Sequence, residues 1–594
     1  MSVARAGLRG GFWIQWITRV RLALLGHEEL SAILFWAALV GFGGALASVV
    51  FREAIGHLHW ALTGHSGGFV QTAAALAGWH RVAIPVAGGL MAGAVLQFGA
   101  QLVSSRRAVD YMEAVVVGDG AIAARPTLLK SLSSLLTIAS GGSIGREGPM
   151  VQLAALFGSK LGTLRRVPVP RRRLLVACGG AAGIAAAYNA PIAGALFVAE
   201  VVMGSIAMES FGPLLVAAVT ANATVHHFLG YGPIFQIPVF SFTSNWELVV
   251  YAVLGVLLGH AAPSFLTLLD GAKRGFAALP LPLYLKLGLG GLIVGLLSLV
   301  YPEVWGNGYS VVDGILHGNL SGWLLVGILV AKLLSTAATV GSGAVGGVFT
   351  PTLFVGAAIG ALAGGLAQLL LPHVIAASGG YALVGMGALL AATTHAPLMS
   401  VLMIFEMTLD YQVVLPLILA CVTAHYTAKV YRRGASVYED ALRPTLPAGA
   451  QDWRMRTVSQ LSRPAAAVVT QGTSVRRMLD TLPARPAQTV YVVDDDGQLL
   501  ASLSPRTVLQ QVRQGRIDPA TSVSDVAVAT GYTLTPEMSL TEALEGFLRE
   551  RATVLPVTSG QWHTRLLGEV SRHDLLLAIQ ERMTESRSAR GAAD

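Results

Sequence analysis

The residue with the most chemistry in this chain is Glu147, at the centre of Gly145-Arg146-Glu147-Gly148-Pro149, with Met150, Val151 and Gln152 following. It stands in apolar surroundings, where inserting an acid costs roughly 2.5–3.5 kcal/mol and an ionisable group is a functional candidate by default. The segment also has a second copy. At a constant offset of 202, Gly141–Gly162 lies on Gly343–Gly364 and pairs Gly145 with Gly347, Pro149 with Pro351, Gly158 with Gly360 and Gly162 with Gly364. At an offset of 206, Ala181–Glu200 then lies on Gly387–Glu406 and pairs Pro191 with Pro397 and Glu200 with Glu406. Membrane chains built from repeats, with Gly and Pro breaking the apolar segments at matching places, tend to bind their substrate at the breaks. A helix that starts inside a membrane aims unpaired N–H groups and about half a positive charge beyond its end. Lipid offers those groups no partner, and an anion does, with glycines letting it approach the backbone. The pattern therefore points to an anion pathway lined by helix N-termini.

The elements that must hold such a site are membrane helices. Of 594 residues, 53% are hydrophobic and only 12% charged, with 68 glycines and a mean hydropathy of +0.61. An average soluble protein carries roughly 25% charge, so an ordinary soluble enzyme is excluded. Collagen is excluded because the glycines have no Gly-X-Y period. Cys178 and Cys421 both sit in apolar runs, which excludes a disulfide framework, a Cys-rich zinc site and an iron–sulfur centre. The first span is expected over Ser31–Phe51, and about ten apolar stretches of membrane length continue to about Val430.

The net charge of +8 suggests a nucleic-acid partner until its positions are read. Residues 456–594 hold 15 arginines, no lysine and 15 acids, so the whole excess lies in 1–455. There it concentrates in loops such as Arg165–Arg173 and at Arg432 and Arg433, which the positive-inside rule places in the cytoplasm. Residues 1–30 interleave Arg5, Arg9, Arg19 and Arg21 with Phe12, Trp13, Trp16 and Ile17, and read as a cytoplasmic amphipathic segment at the interface. His226 and His227 have no Cys, Asp or Glu at metal spacing and read as interfacial histidines. No metal and no nucleic acid is expected.

GREGP at Gly145–Pro149, GGVFTP at Gly346–Pro351 and Tyr438 in GASVYEDAL together resemble the CLC family of chloride channels and chloride/proton antiporters, and within it the ClcB-like branch. The resemblance implies an all-α polytopic membrane fold with two inverted repeats and broken helices, about 31–230 and 248–445 of a membrane domain over 31–445. It further implies a homodimer with one anion pathway per subunit, set in the lipid of the cell inner (plasma) membrane, with the N-terminus and tail cytoplasmic. Chloride and other small anions would be the permeant species, with no enzyme activity and no required cofactor. Carried over by position, Glu147 is the gating glutamate: a carboxylate is itself an anion, so it can hold the site against chloride until it is protonated or swings away. The other reading of Glu147 is a salt bridge with Arg146. Gly145, Arg146 and Gly148 would surround the anion, with the amides of Val348 and Phe349 and the Tyr438 hydroxyl as donors.

Two departures from the family pattern follow. The signature GSGIP is expected upstream of GREGP, where a gap-free placement puts Ser105-Arg106-Arg107-Ala108-Val109. Its serine donor falls on Arg106, so Ser105, Ser104 or a backbone amide takes the place. In NAPIAGALFVAEVV, Glu200 stands on the first of two positions that are acidic in the family's antiporters. Val201 stands on the second, the proton-transfer position, and valine carries no proton. Channel members of the family commonly have valine there, so the resemblance leans toward a voltage- or pH-gated channel, with a secondary active chloride/proton antiporter as the alternative. Glu200 itself, with its repeat partner Glu406, reads as a cap or a pairing group.

From about Thr457 the pattern changes to short strands and amphipathic helices. A helix near Ser474–Leu482, a hairpin in TVYVVDDDGQLLASLS and a helix from about Pro505 are followed by a second set: helix Ser539–Arg551, strands Thr553–Val557 and Arg565–Val570, and helix Ser571–Arg582. The tandem resembles an α/β CBS pair, about 456–515 and 520–585. Such pairs commonly bind adenine nucleotides such as ATP or AMP. Ser571 and Asp574 fit the pattern in which the acid holds a ribose, whereas the first copy has Thr507 in place of the acid. Nucleotide binding and a purely packing module both stand.

Overall fold

Gly- and Pro-broken apolar runs fold here into helices of unequal length, and the breaks before Glu147 and Phe349 meet. A computed structural model describes residues 7–102 (7–30 as backbone alone), 110–116, 118–204, 206, 208–230, 234–235, 246–372, 378–432, 457–481, 489–529, 532–550, 552–560, 565–572 and 574–575. The chain divides into two compact units, Met1–Leu442 and Arg443–Asp594.

The first unit is helical. Among the described residues, seven helices are long and apolar enough to cross a membrane, and three further apolar helices, Pro191–Val202, Gly379–Thr394 and Pro397–Thr408, are shorter. The first, α1 (Gly7–Thr63), is continuous from before residue 31 and runs on past Phe51, where the sequence reading ended the span. Arg52 and Glu53 end the apolar run there without ending the helix, because no Gly–Pro break follows them. After α2 (Phe69–Ala75) come α3 (Gly78–Leu102), α4 (Tyr111–Val116) and α5 (Ala124–Ala139), then α6 (Glu147–Leu164), α7 (Val169–Tyr188), α8 (Pro191–Leu196) and α9 (Met208–Leu229). The second half repeats this with α10 (Glu247–Ala278), α11 (Leu283–Val300), α12 (Tyr309–Leu316) and α13 (Gly322–Gly341). It closes with α14 (Phe349–Leu370), α15 (Ser378–Thr394), α16 (Pro397–Thr408) and α17 (Val414–Arg432).

The repeat offsets become structural equivalences. α6 begins at Glu147 and α14 at Phe349, 202 residues apart, and each packs on the helix after it, α7 or α15. The contacts are close because they are made by glycine: a Cβ on Gly158 would stand 2.3 Å from the Leu175 carbonyl oxygen, and one on Gly360 would stand 2.2 Å from that of Tyr381. Where lipid supplies no hydrophobic drive between helices, such small-residue contacts hold a bundle together. α7 ends in Asn189 at φ 53° and α15 is followed by His395 at φ 57°, and each left-handed residue precedes an Ala-Pro pair that opens the next helix. Proline fits there because the first helical N–H needs no partner inside the helix.

The second unit has its own internal two-fold pattern. β1 (Val468–Thr470), α18 (Val475–Thr481), β2 (Val490–Val493), β3 (Leu499–Leu503) and α19 (Pro505–Arg513) are followed by β4 (Val528–Ala529), α20 (Leu540–Glu550), β5 (Val554–Thr558) and β6 (Leu566–Ser571). β1 runs parallel to β2 and β2 antiparallel to β3; in the second copy Leu534 bridges Val557 in parallel and β5 runs antiparallel to β6. The copies exchange edges, because β4 pairs with β3 of the first while Arg463 pairs with Glu569 on β6 of the second. Their cores exchange residues too: Val458 packs with Leu534, Phe547 and Val570, and Val523 packs with Met478, Val490 and Val508. α20 opens with a capping box, in which Ser539 N–H donates to Glu542 at 2.8 Å and Glu542 N–H donates to the Ser539 hydroxyl at 3.3 Å. The end of the helix expected from Ser571 to Arg582 lies outside the described residues.

Candidate anion site at the crossing of the two repeats

The segments that precede α6 and α14 meet as an antiparallel pair. Gly145 N–H donates to the Gly347 carbonyl at 2.8 Å, and Gly347 N–H donates to that of Gly145 at 2.9 Å. The helix starts of both repeats therefore sit at one short ribbon. Glu147, the first residue of α6, turns its carboxylate across to α14. The Phe349 and Thr350 amides donate to Oε1 at 3.0 and 3.2 Å, and the Thr350 hydroxyl donates to Oε2 at 3.1 Å. The side chain is 4% exposed. With two helix N-termini beside it, the carboxylate occupies the electropositive place that the sequence pattern assigned to an anion.

The glycines explain the fit. A Cβ on Gly145 would lie 2.1 Å from Glu147 Oε2, and one on Gly347 would lie 2.2 Å from Oε1. Gly148 stands against the same ribbon, 3.3 Å from the Gly347 nitrogen by the same measure. Arg146 does not pair with Glu147: its guanidinium lies over the Tyr309 ring, 5.6 Å from the centroid. Of the donors expected on α14, Phe349 faces the carboxylate, whereas Val348 is the residue before the helix and Thr350 is the second amide. Thr350 lay inside GGVFTP but was passed over, since its hydroxyl matters only once the helix start is known to be at Phe349. Tyr188, at the end of α7, was also missed. Its hydroxyl hydrogen-bonds Thr350 Oγ1 at 3.0 Å, and its ring packs 4.8 Å from that of Phe349. Ser105 and Tyr438 lie outside the described residues.

Outside this site opens a cavity of about 470 Å³, lined by Arg52, Arg146, Trp305, Asn307, Tyr309 and His226 among others. Its floor is anchored from below by Lys332, a wholly buried side chain of α13 that donates to the carbonyls of Val304 at 2.9 Å and Gly306 at 2.7 Å. Sequence reading missed this lysine because an isolated cation in an apolar run carries no spacing signal. His226, read as interfacial, hydrogen-bonds Asn189 Oδ1.

The two acids at the second offset serve the two short helices. Glu200 accepts from the amides of Leu398 at 3.4 Å and Met399 at 2.9 Å at the start of α16, and Glu406 accepts from Ile192 at 3.0 Å and Ala193 at 2.8 Å at the start of α8. Each repeat caps the broken helix of the other. Replacing Glu200 with alanine is expected to cost about 0.5–2 kcal/mol, the range for a lost N-cap, read as a lower melting temperature in detergent. Glu200→Gln keeps an acceptor and should lose less than half as much; equal melting of all three proteins would disprove the capping role. Val201 lies beside Glu200 in a π-helical turn, Phe197–Val202, and is half-buried.

The family described as voltage gated chloride channel matches residues 87–429. The chain belongs to the CLC family. A protein named as ClcB-like from Ralstonia nicotianae is 57% identical over 411 residues, 68% of this chain and 95% of that one. The voltage-gated ClC-type chloride channel ClcB of Escherichia coli is 44% identical over 409 residues, 68% of this chain and 96% of its own length. Among solved structures, a slow cyanobacterial Cl−/H+ antiporter superposes with a TM-score of 0.63 at 26% identity, covering 70% of this chain and 98% of that one. A eukaryotic CLC transporter shares the fold with a TM-score of 0.60 at 19% identity, over 92% of this chain and 98% of that one. This CLC protein is thus a multi-pass anion transporter with the two-repeat, broken-helix CLC fold, and its tail carries a CBS domain matched over 523–581. In that domain Asp574 N–H donates to the Ser571 hydroxyl at 3.4 Å, and the Asp574 carboxylate pairs with Arg463 at 3.5 Å.

Proposed function

We propose that this CLC protein is a chloride channel gated by Glu147, working as a homodimer with one pathway per subunit. The observation that carries the reading is the Glu147 carboxylate seated on the first amides of α14, where it excludes any other anion. Protonation or withdrawal of that carboxylate frees the donors for chloride. Val201 supports passive conduction, because the position next to Glu200 offers no group to relay a proton. The basic loop Arg165–Arg173 supports an inner-membrane orientation with the N-terminus and tail in the cytoplasm. In the tail, Ser571 and Asp574 remain the candidates for an adenine nucleotide, which must compete with Arg463 for the acid.

A second reading, chloride/proton antiport, is favoured by the likeness to the cyanobacterial antiporter. The two part under a proton gradient in planar bilayers at matched chloride. A channel gives a reversal potential of zero at every pH difference, and a displacement that follows the pH difference establishes antiport instead.

A further inference from the structure

We propose that the cavity outside Glu147 is a second anion-binding site, distinct from the α14 helix start, built by Arg52, Arg146 and Trp305 and suited to a small monovalent anion. The proposal rests on the anion-pathway reading above and adds a place where the ion waits before the gate. Its first support is charge. Two guanidiniums line the cavity, and no carboxylate is among the described lining residues. Arg52 and Arg146 are near enough to feel each other's charge; Glu53, next to Arg52, also acts on it, but it is exposed and does not line the cavity. Like charges facing one space are stabilised by an anion between them.

The second support is unmade hydrogen bonds. Arg146 Nε and Trp305 Nε1 are buried and meet no protein acceptor, although both residues line the cavity. Buried donors without partners are costly, so native proteins rarely keep two at one place without a ligand or water to take them. The third is backbone polarity: α12 starts at Tyr309 on the cavity wall, after Gly308 at φ 93°, and adds the partial positive charge of its N-terminus. At roughly 30 Å³ per water, the space of about 470 Å³ takes an anion with about fourteen waters, which suits an ion that keeps part of its hydration until it reaches the gate. Focusing of this kind raises the local anion concentration at the pathway mouth.

Bromide, located by its anomalous scattering in crystals of the full chain, is the probe. Wild-type crystals should show bromide in the cavity. Glu147→Gln crystals should show it there and also at the Phe349 and Thr350 amides. Arg52→Gln should lose the cavity ion, and its half-saturating chloride concentration for flux should rise about tenfold. Bromide at the α14 amides of Glu147→Gln with none in the cavity overturns this proposal and leaves the gate intact. Bromide at neither place overturns the gate as well. An unchanged half-saturating concentration in Arg52→Gln also overturns the proposal.

Discussion

Glu147→Gln is expected to conduct chloride at neutral pH at least tenfold faster than the wild type and to lose the dependence of flux on pH. The carboxylate holds the site through three hydrogen bonds from Phe349 and Thr350. Bonds to a charged group contribute about 1.5–3 kcal/mol each against about 0.5–1.5 for neutral pairs, so a neutral amide at 147 weakens the seal by roughly 3 kcal/mol. Every 1.4 kcal/mol is a factor of about ten, so chloride, which keeps its full charge, then wins the amides. In the wild type the same neutralisation comes from a proton, so flux should rise as pH falls, and this rise should be absent in Glu147→Gln. Chloride efflux from proteoliposomes across a pH series measures both effects. A variant with wild-type rates and a wild-type pH profile would show that the carboxylate is a structural cap and not a gate.

Gly347→Ala should act in the opposite direction and override the first change. Gly347 has no left-handed backbone angle to forbid alanine, and its N–H stays in the ribbon with Gly145, so the fold should survive. The added methyl would stand 2.2 Å from the present position of Glu147 Oε1. That is too close for a carboxylate oxygen, and equally for a chloride that replaces it. Flux should fall at least tenfold in the wild-type background, and in Glu147→Gln it should fall to that same low level, a larger factor that erases the first change. Adjacent sites that share one space are expected to be non-additive in this way. If Gly347→Ala in the Glu147→Gln background conducts as well as its parent, the anion does not pass where the carboxylate now sits.

These two residues also show how far the site could be read from sequence. The register of Gly145 on Gly347 was visible as a repeat offset, and the structure turns that register into a pair of reciprocal hydrogen bonds. Glu147 was visible because GREGP resembles the family's motif and an acid in an apolar run is rare, and Glu200 and Glu406 because they recur in phase. Thr350 and Tyr188 were not visible. Their part depends on which side of a helix start faces the partner repeat, and nothing in a single string encodes that. Arg52 was hidden for another reason: at the edge of an apolar run, an arginine that ends a span and one that lines a cavity look the same. The length of α1 was misjudged on the same ground, since charge at Arg52 and Glu53 marked the end of an apolar stretch and not of a helix. The alternation of strands in the tail was legible, but the exchange of edges between its two copies was not, because strand partners far apart leave no local pattern.

The reciprocal caps have a consequence for how this chain is made. When the ribosome has delivered α8, the amides of Ile192 and Ala193 await a carboxylate at position 406, and Glu147 awaits amides at 349 and 350. The first half of the chain therefore enters the bilayer with polar groups that only later translation can satisfy. Neither half is a finished object, so a stop codon between residues 230 and 340 should yield a product for the quality-control proteases and not a half-sized transporter, whereas the two halves supplied as separate chains could still complete each other.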